Sequence, residues 1–349
     1  MAKTAENTSF SELKTAIRTG NPGRLYFFHG EEVYLLRYYL DALRKKLLDP
    51  LTESFNFHRF NGETFSMQAF SDAVENMPMM SDHTFVQLDE IDPFKLPEDE
   101  RKKAAELLAD IPEYCTVVFC YELSPWQPDK RFKALWSGIE SAGKIVEFPK
   151  QSPRELSAWI TRHFAKLGKS ISQELCLYLV DLTGGTMTAL SGEIQKIAAF
   201  SGTDTITKYD IDSVTEPVLD AVVFQMTDLL GAGDYAAALD TLQVLLKMQQ
   251  EPIAILGAIG SHFRRISAGR TLLDSGKGAS DLARLYGIKD YPARKSMDAA
   301  RKFSSRFCKK ASEWILQTDM QLKTSYDDPQ RLLELLILRL AQEAKNGSH

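Results

Sequence analysis

The sequence predicts an α/β unit built on a parallel sheet, followed by an all-α remainder. Two patterns carry this. Short runs rich in Phe, Val, Tyr and Ile alternate with helix-period stretches as far as residue 150, and beyond residue 216 no strand-like run occurs. The length agrees, since 349 residues make two or three domains at roughly 100–200 residues each. Hydrophobic residues at 44% and charged residues at 26% are ordinary for a globular chain, which excludes collagen-like, disordered and membrane-embedded classes.

Taken in order, residues 24–29, 55–60, 84–88, 115–121 and 144–148 read as strands. Between the first two, residues 32–48 carry Leu36, Tyr39, Leu40 and Leu43, an i, i+3, i+4, i+7 stripe. Strands alternating with helices in this way predict a doubly wound sheet over residues 1–150. A new unit, 151–215, opens with Ser152-Pro153-Arg154-Glu155, which places Ser at the N-cap, Pro at N1 and Glu at N3. Leu156, Trp159, Ile160, Phe164 and Leu167 form its first stripe, which Gly168 stops. Ser172 starts a second helix that Gly184-Gly185 ends, and Leu190, Ile194 and Ile197 mark a third running to Ser201-Gly202. Thr207 caps a short fourth. Residues 216–344 read as a bundle of roughly five or six helices, punctuated by glycines and by Pro252 and Pro329. The polar residues 345–349 are expected to fray.

Several classes are excluded early. Apolar runs such as 335–338 are far short of the ~20 residues of a membrane span. The N-terminus has no apolar core and is not expected to be a secretion signal. The cysteines are Cys115, Cys120, Cys176 and Cys308, with no C-x-x-C spacing, so a cytoplasmic location without a zinc site is expected. The net charge of −5 argues against a global grip on nucleic acid. Residues 260–310 depart from this, with 13 Lys/Arg against 4 Asp/Glu. Few aromatics interleave there, so a solvated helical face is the simpler reading and a local nucleic-acid contact the sharper one.

A sheet followed by helices invites a nucleotide-binding loop after the first strand. Gly30-Glu31-Glu32 stands there, without the second glycine, the lysine or the Ser/Thr. Two carboxylates at a helix N-terminus suit the helix dipole and repel a triphosphate. Two other glycine–lysine pairs, Gly143-Lys144 and Gly168-Lys169-Ser170, sit at helix C-termini and read as caps. Asp89-Glu90 ends the third strand and has the look of a metal-and-water carboxylate pair (Walker B), but without a phosphate loop it has nothing to act on. The histidines are scattered and no Gly-x-Ser-x-Gly elbow occurs. No catalytic residue, cofactor or metal is therefore expected, and the chain reads as a binding protein. Met77-Pro78-Met79-Met80 is the apolar stretch that stands out, between a helix and the third strand. It is either an adaptable docking surface or a loop tucked beneath the sheet.

Five segments resemble the delta subunit of the bacterial DNA polymerase III clamp loader. Tyr26-Phe-Phe-His-Gly-Glu-Glu-Val-Tyr-Leu-Leu resembles the family's opening strand and degenerate loop, and Met77-Pro-Met-Met-Ser-Asp-His-Thr-Phe-Val its P-hydrophobic-hydrophobic segment. Asp129-Lys-Arg-Phe-Lys resembles its D-x-R-x-K turn. Gly185 to Ile197 resembles G-x-x-x-x-L-x-x-E-x-x-K-L, and Asp319-Met-Gln-Leu-Lys323-Thr the start of its Leu-rich end. They are collinear across roughly residues 20–344. The resemblance implies an AAA+-like architecture: a Rossmann-type sheet domain (1–150), a helical lid (151–215) and a helical collar (216–344) that joins subunits into a five-membered ring. It implies no intrinsic activity, so a nucleotidyltransferase class would belong to the DNA-directed DNA polymerase complex alone. Thr188, where such proteins carry a sensor arginine, agrees, whereas Asp89-Glu90 is more ATPase-like than such a member needs. The implied partners are the beta sliding clamp, the ATPase subunits, delta-prime and, within the complex, primer-template DNA, with no membrane. The implied clamp contact is Met77, Pro78, Met79 and Met80. The alternatives are an active AAA+ ATPase and a structural scaffold in another assembly.

Overall fold

The computed structural model describes residues 3–247, 250–288 and 290–346. The chain separates into two compact units, Met1–Gln151 and Ser152–His349.

The first unit runs α1 (Lys3–Thr19), β1 (Leu25–His29), α2 (Val33–Leu47), α3 (Glu53–Asn56), β2 (Phe57–Phe60), α4 (Met67–Glu75), β3 (Thr84–Asp89), a 3-10 turn (Pro93–Lys95), α5 (Glu98–Ala109), β4 (Cys115–Tyr121), α6 (Lys133–Ala142) and β5 (Gly143–Glu147). Its five strands pair in parallel in the order β2-β3-β4-β1-β5. Alternate residues of each strand point to opposite faces. Leu25, Phe27, Val86, Leu88, Val117 and Phe119 therefore meet α4, α5 and α6, with Phe70, Leu108 and Ile139 among the buried contacts. Tyr26, Phe28, Phe85, Val118 and Val146 meet Leu13 of α1 and Leu36, Leu40 and Leu43 of α2. Burial on both faces is why β1, β3 and β4 read as nearly continuous apolar runs rather than as alternating ones.

Two local features depart from the sequence reading. Residues 55 and 56, expected in the second strand, close the one-turn helix α3, and the buried Asn56 side chain donates back to the Thr52 carbonyl at 3.0 Å. Helix α1 has no counterpart in the sequence reading. Its buried stripe is short, with Leu13 against the sheet and Phe10 edge-on to Tyr39 and Phe148 at centroid distances of 5.0 and 5.6 Å.

The second unit is helical: α7 (Pro153–Lys166), α8 (Gln173–Thr183), α9 (Met187–Phe200), α10 (Lys208–Val214), α11 (Leu219–Ala232), α12 (Tyr235–Lys247), α13 (Pro252–Asp274), α14 (Ala279–Tyr286), α15 (Asp290–Arg301), α16 (Ser305–Thr324) and α17 (Pro329–Asn346). The capping chemistry is as the sequence implies. The Ser152 hydroxyl accepts the Glu155 N–H while the Glu155 carboxylate accepts the Ser152 N–H, and Thr207 and Asp210 repeat the arrangement. Among the described residues seven helices follow residue 216, against the five or six expected. The least legible of them is α14, an eight-residue helix with Leu282 as its one buried hydrophobic residue and Gly278 and Gly287 at its ends. One buried residue leaves no periodic stripe to read. Helix α17 runs on through Lys345 and Asn346, and the rest of the expected tail lies outside the described residues. Val222, Met226, Leu242, Ile259, Phe263, Phe307, Leu336 and Leu340 belong to the core shared by α11–α13 and α15–α17, while Leu282 of α14 packs with Ala293 and Met297 in a smaller cluster.

Candidate functional site

The strand order reverses at β1, which lies between β4 and β5, so the carboxyl ends of β1 and β4 form the place where an open parallel sheet binds ligands. The loop there is closed on itself. Gly30 has φ +134°, and a Cβ at this position would lie 2.3 Å from the Phe148 carbonyl oxygen. Phe148 N–H donates to the His29 carbonyl at 2.7 Å, and Glu32 N–H donates to the Phe148 carbonyl at 2.9 Å. The Glu32 N–H, one of the donors at the entry to α2 that a phosphate oxygen could use, is thus already taken. Glu32 is buried and Glu31 exposed, so two carboxyl side chains and no lysine stand at this end of the helix. Trp126 covers the ends of β1 and β4, with its ring centroid 4.8 Å from Phe27, 5.5 Å from His29 and 5.7 Å from Tyr121. These donors and charges do not fit a nucleoside triphosphate.

Asp89 and Glu90 each have their own partners. Arg59 Nε donates to Asp89 Oδ2 at 2.6 Å and Gln87 Nε2 to Oδ1 at 2.7 Å. Glu90 adopts φ +57°, in the left-handed region that side chains other than glycine rarely enter. Its Oε1 accepts the N–H groups of Glu122 and Leu123 at 2.6 and 2.8 Å, and Oε2 accepts the Ser124 hydroxyl at 2.5 Å. Glu90 therefore ties the turn after β3 to the turn after β4. Arg37 completes the tie with a bidentate pair to Glu122. The pair that resembles catalytic machinery in sequence is engaged in building the sheet's carboxyl end.

The methionine loop follows α4 and precedes β3. Met77, Met79 and Met80 are 79%, 58% and 90% exposed, and Pro78 is half-buried. The loop is not tucked beneath the sheet. Its backbone is held by one buried side chain: Asn56 Oδ1 accepts the Met79 N–H at 2.7 Å and Asn56 Nδ2 donates to the Met79 carbonyl at 2.9 Å. Met80 has φ +52°, a strained setting for a residue with a side chain. Leu51 and Phe55, on the segment that carries Asn56, are also large exposed hydrophobics. Sequence reasoning missed Asn56, because its partner lies 23 positions away and no local pattern links them.

The remaining motifs are structural. Gly168 has φ +72° just past the end of α7, and Lys169 Nζ donates to the carbonyls of Ser201 and Thr203. Gly143 caps α6 with extended backbone rather than the left-handed turn of a glycine cap, and Lys144 pairs with Glu12. In the basic stretch, Arg270, Lys295, Arg301, Lys302 and Arg306 pair with Asp274, Asp181, Asp298, Asp228 and Glu343. His262 and the four free cysteines are buried. Among the described residues no three His, Cys, Asp or Glu converge on a metal position, and no helix is long and apolar enough to cross a membrane.

The family model "DNA polymerase III, delta subunit" matches residues 26–141, and that for the C-terminal domain of the same subunit matches residues 220–340. Together they span more than half of the chain. The DNA polymerase III subunit delta of Bacillus subtilis (strain 168) is 26% identical over 344 residues, covering 96% of this chain and 98% of the relative. The probable DNA polymerase III subunit delta of Aquifex aeolicus (strain VF5) is 25% identical, covering 99% of each. The solved structure of the Bacillus subtilis DNA clamp loader delta protein superposes with a TM-score of 0.65 at 23% identity, covering 95% of this chain and 99% of that one, so the two share a fold.

Proposed function

The chain belongs to the DNA polymerase III delta subunit family, and from that premise we propose that it docks on the beta sliding clamp through Met77, Pro78, Met79 and Met80 and opens the ring. The carrying observation is the methionine loop, three flexible apolar side chains held out in water on a braced backbone. Methionine is unbranched and polarizable, so it fills irregular pockets. Burying Met79 and Met80 contributes up to about 1.5–3 kcal/mol each.

Opening follows from differential binding. A subunit opens a ring only to the extent that it binds the open form better than the closed one. No bond chemistry is required of this chain, and the partner sets of Gly30, Asp89 and Glu90 support a subunit that does not hydrolyse ATP. Hydrolysis would belong to the ATPase subunits beside it. Residues 151–215 serve as the lid, and residues 216–344 as the collar that joins those subunits and delta-prime in a five-membered ring. Primer-template DNA enters through the complex. Of the 13 cations in residues 260–310, Arg270, Lys295, Arg301, Lys302 and Arg306 are ion-paired, which with the net charge of −5 supports a weak, salt-sensitive contact. The buried free thiols suit a cytoplasmic setting.

The experiment is co-elution of the full chain with the sliding clamp from the same source, with and without the Met79→Ser/Met80→Ser double change. Binding by the unaltered chain alone supports the reading. No binding by either would favour a scaffold in a different assembly.

A further inference from the structure

We propose that Asn56 is the positioning residue of the docking loop, holding Met79 and Met80 in their binding shape before any partner arrives. This rests on the docking role proposed above and adds what prepares the loop for it.

One carboxamide satisfies both backbone groups of Met79, accepting its N–H at 2.7 Å and donating to its carbonyl at 2.9 Å. A neighbouring strand would offer the same pairing, and here a single side chain supplies it. The second proton of the amide goes to the Thr52 carbonyl at 3.0 Å, which fixes the amide's own orientation. Asn56 is 1% exposed, so the brace is shielded from competing water. The next residue, Met80, is held at φ +52°, a conformation that persists only where the surroundings over-determine it. With α4 on one side and β3 on the other, the Asn56 contact is the tertiary hydrogen bonding found at the loop's apolar residues.

The chemistry is specific to asparagine. Aspartate keeps the acceptor but loses the donor and brings a buried charge, leucine loses both contacts, and glutamine moves the amide outward by one methylene. An unbraced loop would still expose the same methionines, but docking would then have to order it, and that ordering opposes binding. A role in preparing the loop therefore leaves its mark on the entropy of association and on exchange at the Met79 amide.

The test uses the full chain and the sliding clamp. In the unaltered chain the Met79 amide is expected to exchange with solvent at least about a hundredfold more slowly than an unstructured amide, despite its exposed side chain. Asn56→Leu should remove that protection and weaken clamp binding about tenfold, with the loss appearing in calorimetry as a less favourable entropy. An unprotected Met79 amide in the unaltered chain would overturn the proposal without any variant, even if Asn56→Leu failed to fold. So would a folded Asn56→Leu chain that binds with unchanged affinity while Met79→Ser/Met80→Ser abolishes binding. Unchanged binding by the methionine double variant would instead remove the docking role itself.

Discussion

Arg59 on β2 donates to Asp89 at the end of β3 over 2.6 Å, so the carboxylate that would hold a metal in an ATPase is already in an ion pair. The pairing gives the first prediction. The isolated chain should show no ATP hydrolysis above background, and Asp89→Asn should leave that unchanged. Because Arg59 is well exposed, losing the pair should cost no more than about 1 kcal/mol of stability. Steady-state hydrolysis that disappears in Asp89→Asn would show that Asp89 has the catalytic role denied to it here.

Glu90 should matter more to folding than Asp89. Its carboxylate accepts from Glu122, Leu123 and Ser124 at once, and hydrogen bonds to a charged acceptor are among the stronger ones. Glu90→Ala should lower stability by about 2–4 kcal/mol in chemical denaturation. Glu90→Gly should be somewhat less damaging, since it relieves the positive φ while losing the same bonds. Equal stability of Glu90→Ala and the unaltered chain would mean that the tie between the two turns contributes nothing.

The second unit should weaken in acid through His262. Burial, with the Arg265 and Lys295 charges nearby, pushes its pKa down to about 3, and neither ring nitrogen has a hydrogen-bond partner among the described residues. The unfolded imidazole titrates near 6.5 and so binds a proton that the folded one refuses. The contribution is fully present above pH 6.5 and is lost as pH falls toward 3, by at most about 1.4 kcal/mol per pH unit. His262→Leu should flatten that part of the stability–pH profile. An identical acid slope in the variant would remove His262 from this role.

The cysteines should be inert while the chain is folded. All four are buried and free, burial pushes the Cys115 thiol up to about 12, and Cys120 is also raised, first by burial and then by the Asp89 charge. The thiolate is the reactive form. A thiol reagent at pH 8 should label the native chain far more slowly than the denatured one, and rapid labelling of Cys115 or Cys120 would show that β4 opens readily.

The sheet was legible because β-branched and aromatic runs bury both faces, and the helix starts at Ser152, Ser172 and Thr207 because capping is local chemistry. Helix α1 was not, since its apolar stripe is sparse, and neither was α14, with its single buried hydrophobic residue. The candidate site divides the same way. Met79 and Met80 stood out as apolar residues in a loop, but the side chain that braces that loop, Asn56, acts from 23 positions away, and no local pattern announces it. Asp89-Glu90 misled in the opposite sense. The strand-end spacing is real, but the partners that occupy it, Arg59 and the 122–124 turn, come from elsewhere in the sequence.

The most direct test of the central claim is the clamp affinity of Met79→Ser/Met80→Ser, measured alongside its melting temperature. The side chains are exposed, so melting should barely change, while the lost burial should weaken binding by about 3–6 kcal/mol, or two to four decades in Kd. A double variant that melts early, or one that binds the clamp as tightly as the unaltered chain, would contradict the account.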